Sequence, residues 1–313
     1  MDSSWHQQII ARVKQIVSRF KPYLRWLILG ATLFFVVSTL RQHWNEVTAL
    51  RLNATGYATL TVALGITLFA HIWSGWVWSW ILRELNQPAQ ATWGILVYLQ
   101  TNIAKYLPGN VWHFYGRVVA AKTAGFPVDV ATLSVVLEPL LMASAALAIA
   151  LSGQQTEHWL IQVLSLTVVL AGIHPTLLNP LLKIASRLKG KSSDKAIDRQ
   201  TLRIKRYPLR PLLGELIFVG LRGTGFLLAL LALHPIAPEQ ISGVFSAFGF
   251  AWLLGLVIPG APGGIGVFEA TAIALLDDQL SPALILGGVA LYRLISTLAE
   301  AAGAGLAWLD EKF

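Results

Sequence analysis

The sequence predicts an all-α polytopic membrane protein: about six transmembrane helices plus two re-entrant helical hairpins, set in an inverted repeat. Three observations carry that expectation. Of 313 residues, 55% are hydrophobic and 13% charged, with a mean hydropathy of +0.60, whereas a soluble domain carries about a quarter charged residues. Apolar runs of bilayer-spanning length, about 20 residues, recur along the chain. Two further apolar stretches, 92–121 and 241–276, are broken in the middle by Pro and Gly.

The first 22 residues are polar and basic, with Arg12, Lys14, Arg19 and Lys21, and Arg25 just beyond. The apolar run at 23–40 follows with no small-residue cleavage site, so it reads as a retained span rather than a cleaved signal. Further spans are expected at 57–82, 130–151, 159–182, 212–233 and 283–309, making 23–313 a single transmembrane domain. The 183–210 loop carries ten Lys and Arg against Asp194 and Asp198. By the positive-inside rule, the N-terminal segment and this loop are both cytoplasmic.

Four spans separate these two basic regions, an even number, so 92–121 must leave on the side it enters. It reads as a hairpin dipping in from the cytoplasm, with its tip at Pro108-Gly109. For the second broken stretch two readings stand. If 241–258 crosses alone, the chain ends outside. If 241–276 is a hairpin from the outer face, the C-terminus is cytoplasmic. The second is preferred because it leaves Glu239, Asp277 and Asp278 outside with few cations.

Pro108 and Pro262 are 154 positions apart, and that shift lays the first half of the chain over the second. Unit one, about 57–151, and unit two, about 212–309, each read span–hairpin–span, in opposite orientations. Paired Pro/Gly-interrupted segments in two halves point to a transporter's binding site. Glu138 lies 30 residues after Pro108, and Arg293 lies 31 after Pro262. Intramembrane charges need a partner or a wet cavity, so these two are expected to meet across the repeat interface.

Composition also excludes several functions. With no Cys, disulfides, thiolate catalysis and cysteine metal sites are out. His71, His113, His158, His174 and His234 are too scattered for ligand spacing, so neither a metal nor another cofactor is expected. The net charge of +8 sits beside apolar spans, where orientation and anionic headgroups account for it, so no nucleic-acid partner is expected.

The candidate binding residues gather at the two breaks. In the first, Lys105, Tyr106, Pro108, Gly109, Trp112 and Arg117 surround a helix that begins inside the bilayer, with free N–H groups and a positive dipole end. Such backbone needs burial or a wet cavity, and near two cations it suits a lipid phosphate. The alternative is a kinked hairpin whose Lys and Arg snorkel to the surface beside an aromatic belt. The second break offers Pro262, Gly263, Gly264 and Glu269. No Gly-Lys-Ser/Thr follows, so it is not a nucleotide loop, although Gly260 and Gly264 also have the spacing of close helix packing. Glu269 stands open to a proton, a cationic headgroup, Arg222 or Arg293. Glu138, Arg222 and Arg293 complete the set. Arg222 sits mid-span among Gly220, Gly223 and Gly225, whereas Glu215 and Glu300, nearer span ends, are read as solvated.

Asn102…Lys105-Tyr106-Leu107-Pro108-Gly109…Trp112 and Pro259…Pro262-Gly263-Gly264…Gly266…Glu269, supported by Glu138 and Tyr292-Arg293, resemble the lysylphosphatidylglycerol synthase transmembrane-region family. The resemblance runs over roughly 20–310. It implies a multi-pass protein of a bacterial plasma membrane that moves a phospholipid or glycolipid headgroup between leaflets, with membrane lipids as its partners. The chain stops at Phe313 without the aminoacyl-transferase domain of the two-part relatives, so no synthesis of aminoacylated lipid is expected. Two other functions stay open. One is an enzyme acting on a polyprenyl or lipid phosphate, with Glu138 or Glu269 as base and His113 nearby. The other is a non-transporting subunit that docks a glycosyltransferase through the basic loop.

Overall fold

A computed structural model describes residues 37–106, 111–153, 159–177, 179–180, 206–258 and 264–310, with single positions at 30, 34 and 204. The basic N-terminal segment, most of the 183–210 loop and the tip residues Pro108, Gly109, Pro262 and Gly263 lie outside the described residues.

Among the described residues the chain is helical, without strands. A short α1 (Trp44–Ala49) precedes α2 (Ala54–Glu84), where the Asn53 side chain accepts from the Gly56 N–H at 2.7 Å and so caps the helix start. Next come α3 (Ala91–Asn102), a 3₁₀ turn (Ile103–Tyr106), α4 (Trp112–Thr123), α5 (Val128–Ser152) and α6 (Trp159–Gly172). The second half holds α7 (Leu209–Leu231), α8 (Pro238–Val257), α9 (Val267–Leu276) and α10 (Pro282–Asp310). Among the described residues five helices, α2, α5, α7, α8 and α10, are long and apolar enough to cross a bilayer. The chain is therefore a polytopic helical membrane protein.

Two expected spans do not stand among those five. Most of 23–40 is outside the described residues. The run at 159–182 is interrupted after Gly172, at Ile173 and His174, and is helical again from Pro175, because proline lacks a donor and disfavours helix at His174 before it.

Glycine sets the closest helix contacts. α2 and α7 run antiparallel: Gly56 lies against the Ala232 carbonyl at one end, and Gly214 against Val77 and Trp80 at the other. Between them the Trp73 indole donates to the Gly214 carbonyl at 2.8 Å. A Cβ on Gly249 of α8 would lie 2.7 Å from the Ala150 backbone nitrogen of α5, and Ser246 Oγ donates to the Ala150 carbonyl at 2.5 Å. Without a hydrophobic drive between helices in lipid, such close backbone approach is what associates them.

Both interrupted stretches fold back on themselves. Trp93 near the start of α3 meets Phe126 just past α4, while Gly116 of α4 abuts Thr101 of α3. Likewise Gln240 of α8 donates to the Gln279 carbonyl just past α9, while Gly255 abuts Gly264. A ring cluster of Phe226, Phe248, Phe268 and Tyr292 ties α7, α8, α9 and α10 together, with centroids 5.7–5.8 Å apart.

Candidate functional site

The site is built on one face of α10. Arg293, Ser296, Thr297 and Glu300 stand at i, i+3, i+4 and i+7, which aligns them in a stripe about 10 Å long. Both interrupted stretches reach this stripe. From the second, the Glu269 carboxylate accepts from Arg293 Nε at 2.6 Å, and the Gly264 carbonyl accepts from Arg293 Nη2 at 3.3 Å. From the first, Lys105 Nζ donates to Glu300 Oε1 at 2.5 Å, and the Tyr106 hydroxyl lies 3.1 Å from Thr297 Oγ1.

Two spans complete the network. Arg222 of α7 donates to Ser296 Oγ at 2.9 Å, and its guanidinium lies over the Tyr292 and Trp252 rings at 4.9 and 5.4 Å. His71 of α2 sits at the centre. Its Nε2 is 3.4 Å from Arg222 Nη1 and 3.2 Å from Glu300 Oε1, and its Nδ1 is 3.5 Å from the Asn102 amide. With His71 counted as neutral, Lys105 and Arg222 face one carboxylate, Glu300. Among the described residues the cluster carries one excess positive charge, and Arg222 Nε has no hydrogen-bond partner.

Glu269 is held at both oxygens. Besides Arg293, it accepts from the Gly266 N–H at 2.7 Å, closing the first turn of its own helix. Gly264 and Gly266 have φ of +71° and +83°, left-handed values that strain any residue with a Cβ. The tight turn into α9 therefore depends on glycine at both positions.

A second buried cluster joins α3, α4 and α5. Arg117 of α4 pairs with Glu138 of α5, both almost wholly buried, and its guanidinium lies 4.1 Å over the Tyr98 ring. Arg117 therefore does not snorkel, and it does not converge with Lys105, which turns to α10 instead. Trp112 is half exposed and edges onto Tyr115 at 6.2 Å, while Tyr106 is exposed beside Lys105.

Three expectations need correction. Glu138 and Arg293 do not meet: Glu138 pairs with Arg117 of α4, and Arg293 pairs with Glu269 of α9. Phe114 and Phe268 lie against these pairs, with rings 5.8 and 5.9 Å from the Arg117 and Arg293 guanidinium groups. The polarity differs: Arg lies on α4 and Glu on α5, whereas Glu lies on α9 and Arg on α10. Glu300 is not solvated, because α10 runs on to Asp310 and leaves Glu300 about 15 Å from its end. Glu215 is not solvated either: α2 covers it with Trp73 and Trp80 packed on Gly214.

Sequence reading missed Ser296, Thr297, Glu300 and His71 as members of one network. Their signal was the polar stripe at helical spacing within the apolar run 283–309. No cluster of three or more His, Asp or Glu side chains suited to a metal ion occurs among the described residues. Neither a protein-family model nor a curated protein matches the chain.

Proposed function

We propose that the protein is a lipid flippase-like transporter that moves an anionic phospholipid or glycolipid headgroup between leaflets without hydrolysing ATP. One observation carries the reading: two Pro/Gly-interrupted stretches from different halves of the chain converge, with a mid-span arginine, on one polar stripe holding an unbalanced positive charge. An uncompensated charge in a bilayer interior is costly and marks a substrate or ion path. A phosphate would neutralise this one.

The inverted repeat is part of the proposal. At the 154-residue offset α2 falls on α7, α3 on α8, α4 on α9 and α5 on α10, and both α5 (Val128) and α10 (Pro282) begin in register. The cross-contacts reciprocate, α5 packing on α8 and α10 on α3. That layout supports two re-entrant hairpins entering a bacterial plasma membrane from opposite faces, with both termini cytoplasmic. Lys105–Glu300 and Arg293–Glu269 each tether one hairpin to α10. Releasing one tether while the other holds would open the stripe to one leaflet at a time, as alternating access requires. Lys105, Arg222 and Arg293 would meet the phosphate. Tyr106 and Trp112, exposed next to the stripe, would contact the headgroup and upper acyl chain.

The test is movement of labelled phosphatidylglycerol, and in parallel a labelled glycolipid, across vesicles containing the purified protein. Lys105→Ala, Glu269→Gln and Arg293→Ala should abolish movement. Folded variants that move lipid at the parental rate would refute the site.

A further inference from the structure

Glu215 is the buried acid that the lipid site leaves unused. It lies in the second turn of α7 with no exposed surface, and neither carboxyl oxygen has a hydrogen-bond partner among the described residues. Leaving a carboxylate unpaired in the protein interior costs several kcal/mol, and natural membrane proteins keep such groups for function.

Glu138 of α5 and Arg117 of α4 act on it electrostatically, and the Tyr98 ring of α3 lies 4.1 Å from the Arg117 guanidinium, with Ser74 of α2 beside Tyr98. Among the described residues no titratable group of α8 or α10 acts on Glu215. On its own helix, Arg210 turns away to lie 4.4 Å over the Trp80 ring. Two carboxyl groups thus share one guanidinium, and Arg117 is already bonded to Glu138. Among the described residues the cluster is one positive charge short.

We propose that Glu215 and Glu138 form a proton-binding site, with the proton supplying the missing charge. A proton fits because it needs no volume. The surrounding packing leaves little, since a Cβ on the adjacent Gly214 would already lie 2.6 Å from the Val77 side chain. A metal cation would instead need several oxygen ligands around a space of its own.

The position joins this cluster to the lipid site. Thr67, His71 and Ser74 form a buried polar stripe on α2, with Ser74 beside Tyr98 and His71 touching Glu300 and Arg222. On α3, Tyr98 faces the acid pair and Asn102, one turn later, bonds His71. Two one-turn ladders therefore link a cluster one charge short of positive to a cluster with one charge in excess. Protonation at one can bias ion pairing at the other, and on the transport reading above this makes the proton the coupling ion.

The experiment is difference infrared spectroscopy of the full chain in nanodiscs, titrated with pH and then with sodium at fixed pH. The expected result is a protonated-carboxyl stretch that titrates with pH, ignores sodium, is lost in Glu215→Gln and persists in Glu269→Gln. Glu215→Asp keeps the acid and should shift the band, which preserves the test if Glu215→Gln does not fold. No titrating carboxyl band, a band indifferent to both Glu215 variants, or a band that follows sodium would overturn the proposal. Lipid movement enters neither arm, so failure of the transport reading and failure of the proton site remain separable.

Discussion

The Lys105–Glu300 pair fastens the 3₁₀ turn after α3 to α10, and its energy can be measured by a double-mutant cycle. Glu300 has no exposed side-chain surface, while Lys105 keeps 25% of its own. Removing one partner of a fully buried pair costs about 3–5 kcal/mol, because the other charge stays in a poor dielectric. Lys105→Met leaves Glu300 with His71 at 3.2 Å and with Arg222 on the far side of that imidazole, and it removes the excess positive charge, so a cost of about 2 kcal/mol is expected. Glu300→Gln strands the buried Arg222 as well as Lys105 and should cost about 4 kcal/mol. A close charge-assisted pair carries a coupling of about 2 kcal/mol. The double variant should then be no less stable than Glu300→Gln alone. Reversible unfolding in mixed micelles reads all four corners. If the two single effects add within about 0.5 kcal/mol, the ion pair does not exist and the convergence on α10 fails with it.

Three other outcomes follow from the same geometry. Arg117→Met, which leaves Glu138 and Glu215 without a cation, should destabilise more than Glu138→Gln, which still leaves Arg117 an acid; thermal melts of the two variants decide it. Gly249→Ala, driven against the α5 backbone, should lose about 1–3 kcal/mol, whereas Gly220→Ala, with nothing within 4 Å of the new Cβ, should gain up to about 1 kcal/mol of helix stability. Because the chain has no native cysteine, Thr123→Cys and Asp278→Cys can each be labelled cleanly. An impermeant maleimide should reach them from opposite faces of the membrane, and labelling from the same face would refute the opposed hairpins.

Much of the architecture was legible before any coordinates. A bilayer demands long apolar helices, so composition and run length alone identify a polytopic helical protein. Pro and Gly marked where helices stop, between Asn102 and Trp112 and between Val257 and Val267. These are local properties, written within each segment. Apolar content at 159–182 suggested one continuous span, which Pro175 interrupts at Ile173 and His174.

The partners of the charges were not legible. Glu138 and Arg293 were singled out for their position and opposite signs, yet each pairs with the helix just before it in the chain, Glu138 with Arg117 and Arg293 with Glu269. Glu300 was set aside because hydropathy measures distance to the end of an apolar run and not which neighbour covers a residue. Whether a polar side chain meets lysine, lipid or nothing depends on the rotation of its helix and the packing of the next one. Sequence determined that this protein lives in a membrane and where its helices break; only tertiary packing decided that both breaks lean on α10, and that Glu215 is left without a counter-charge.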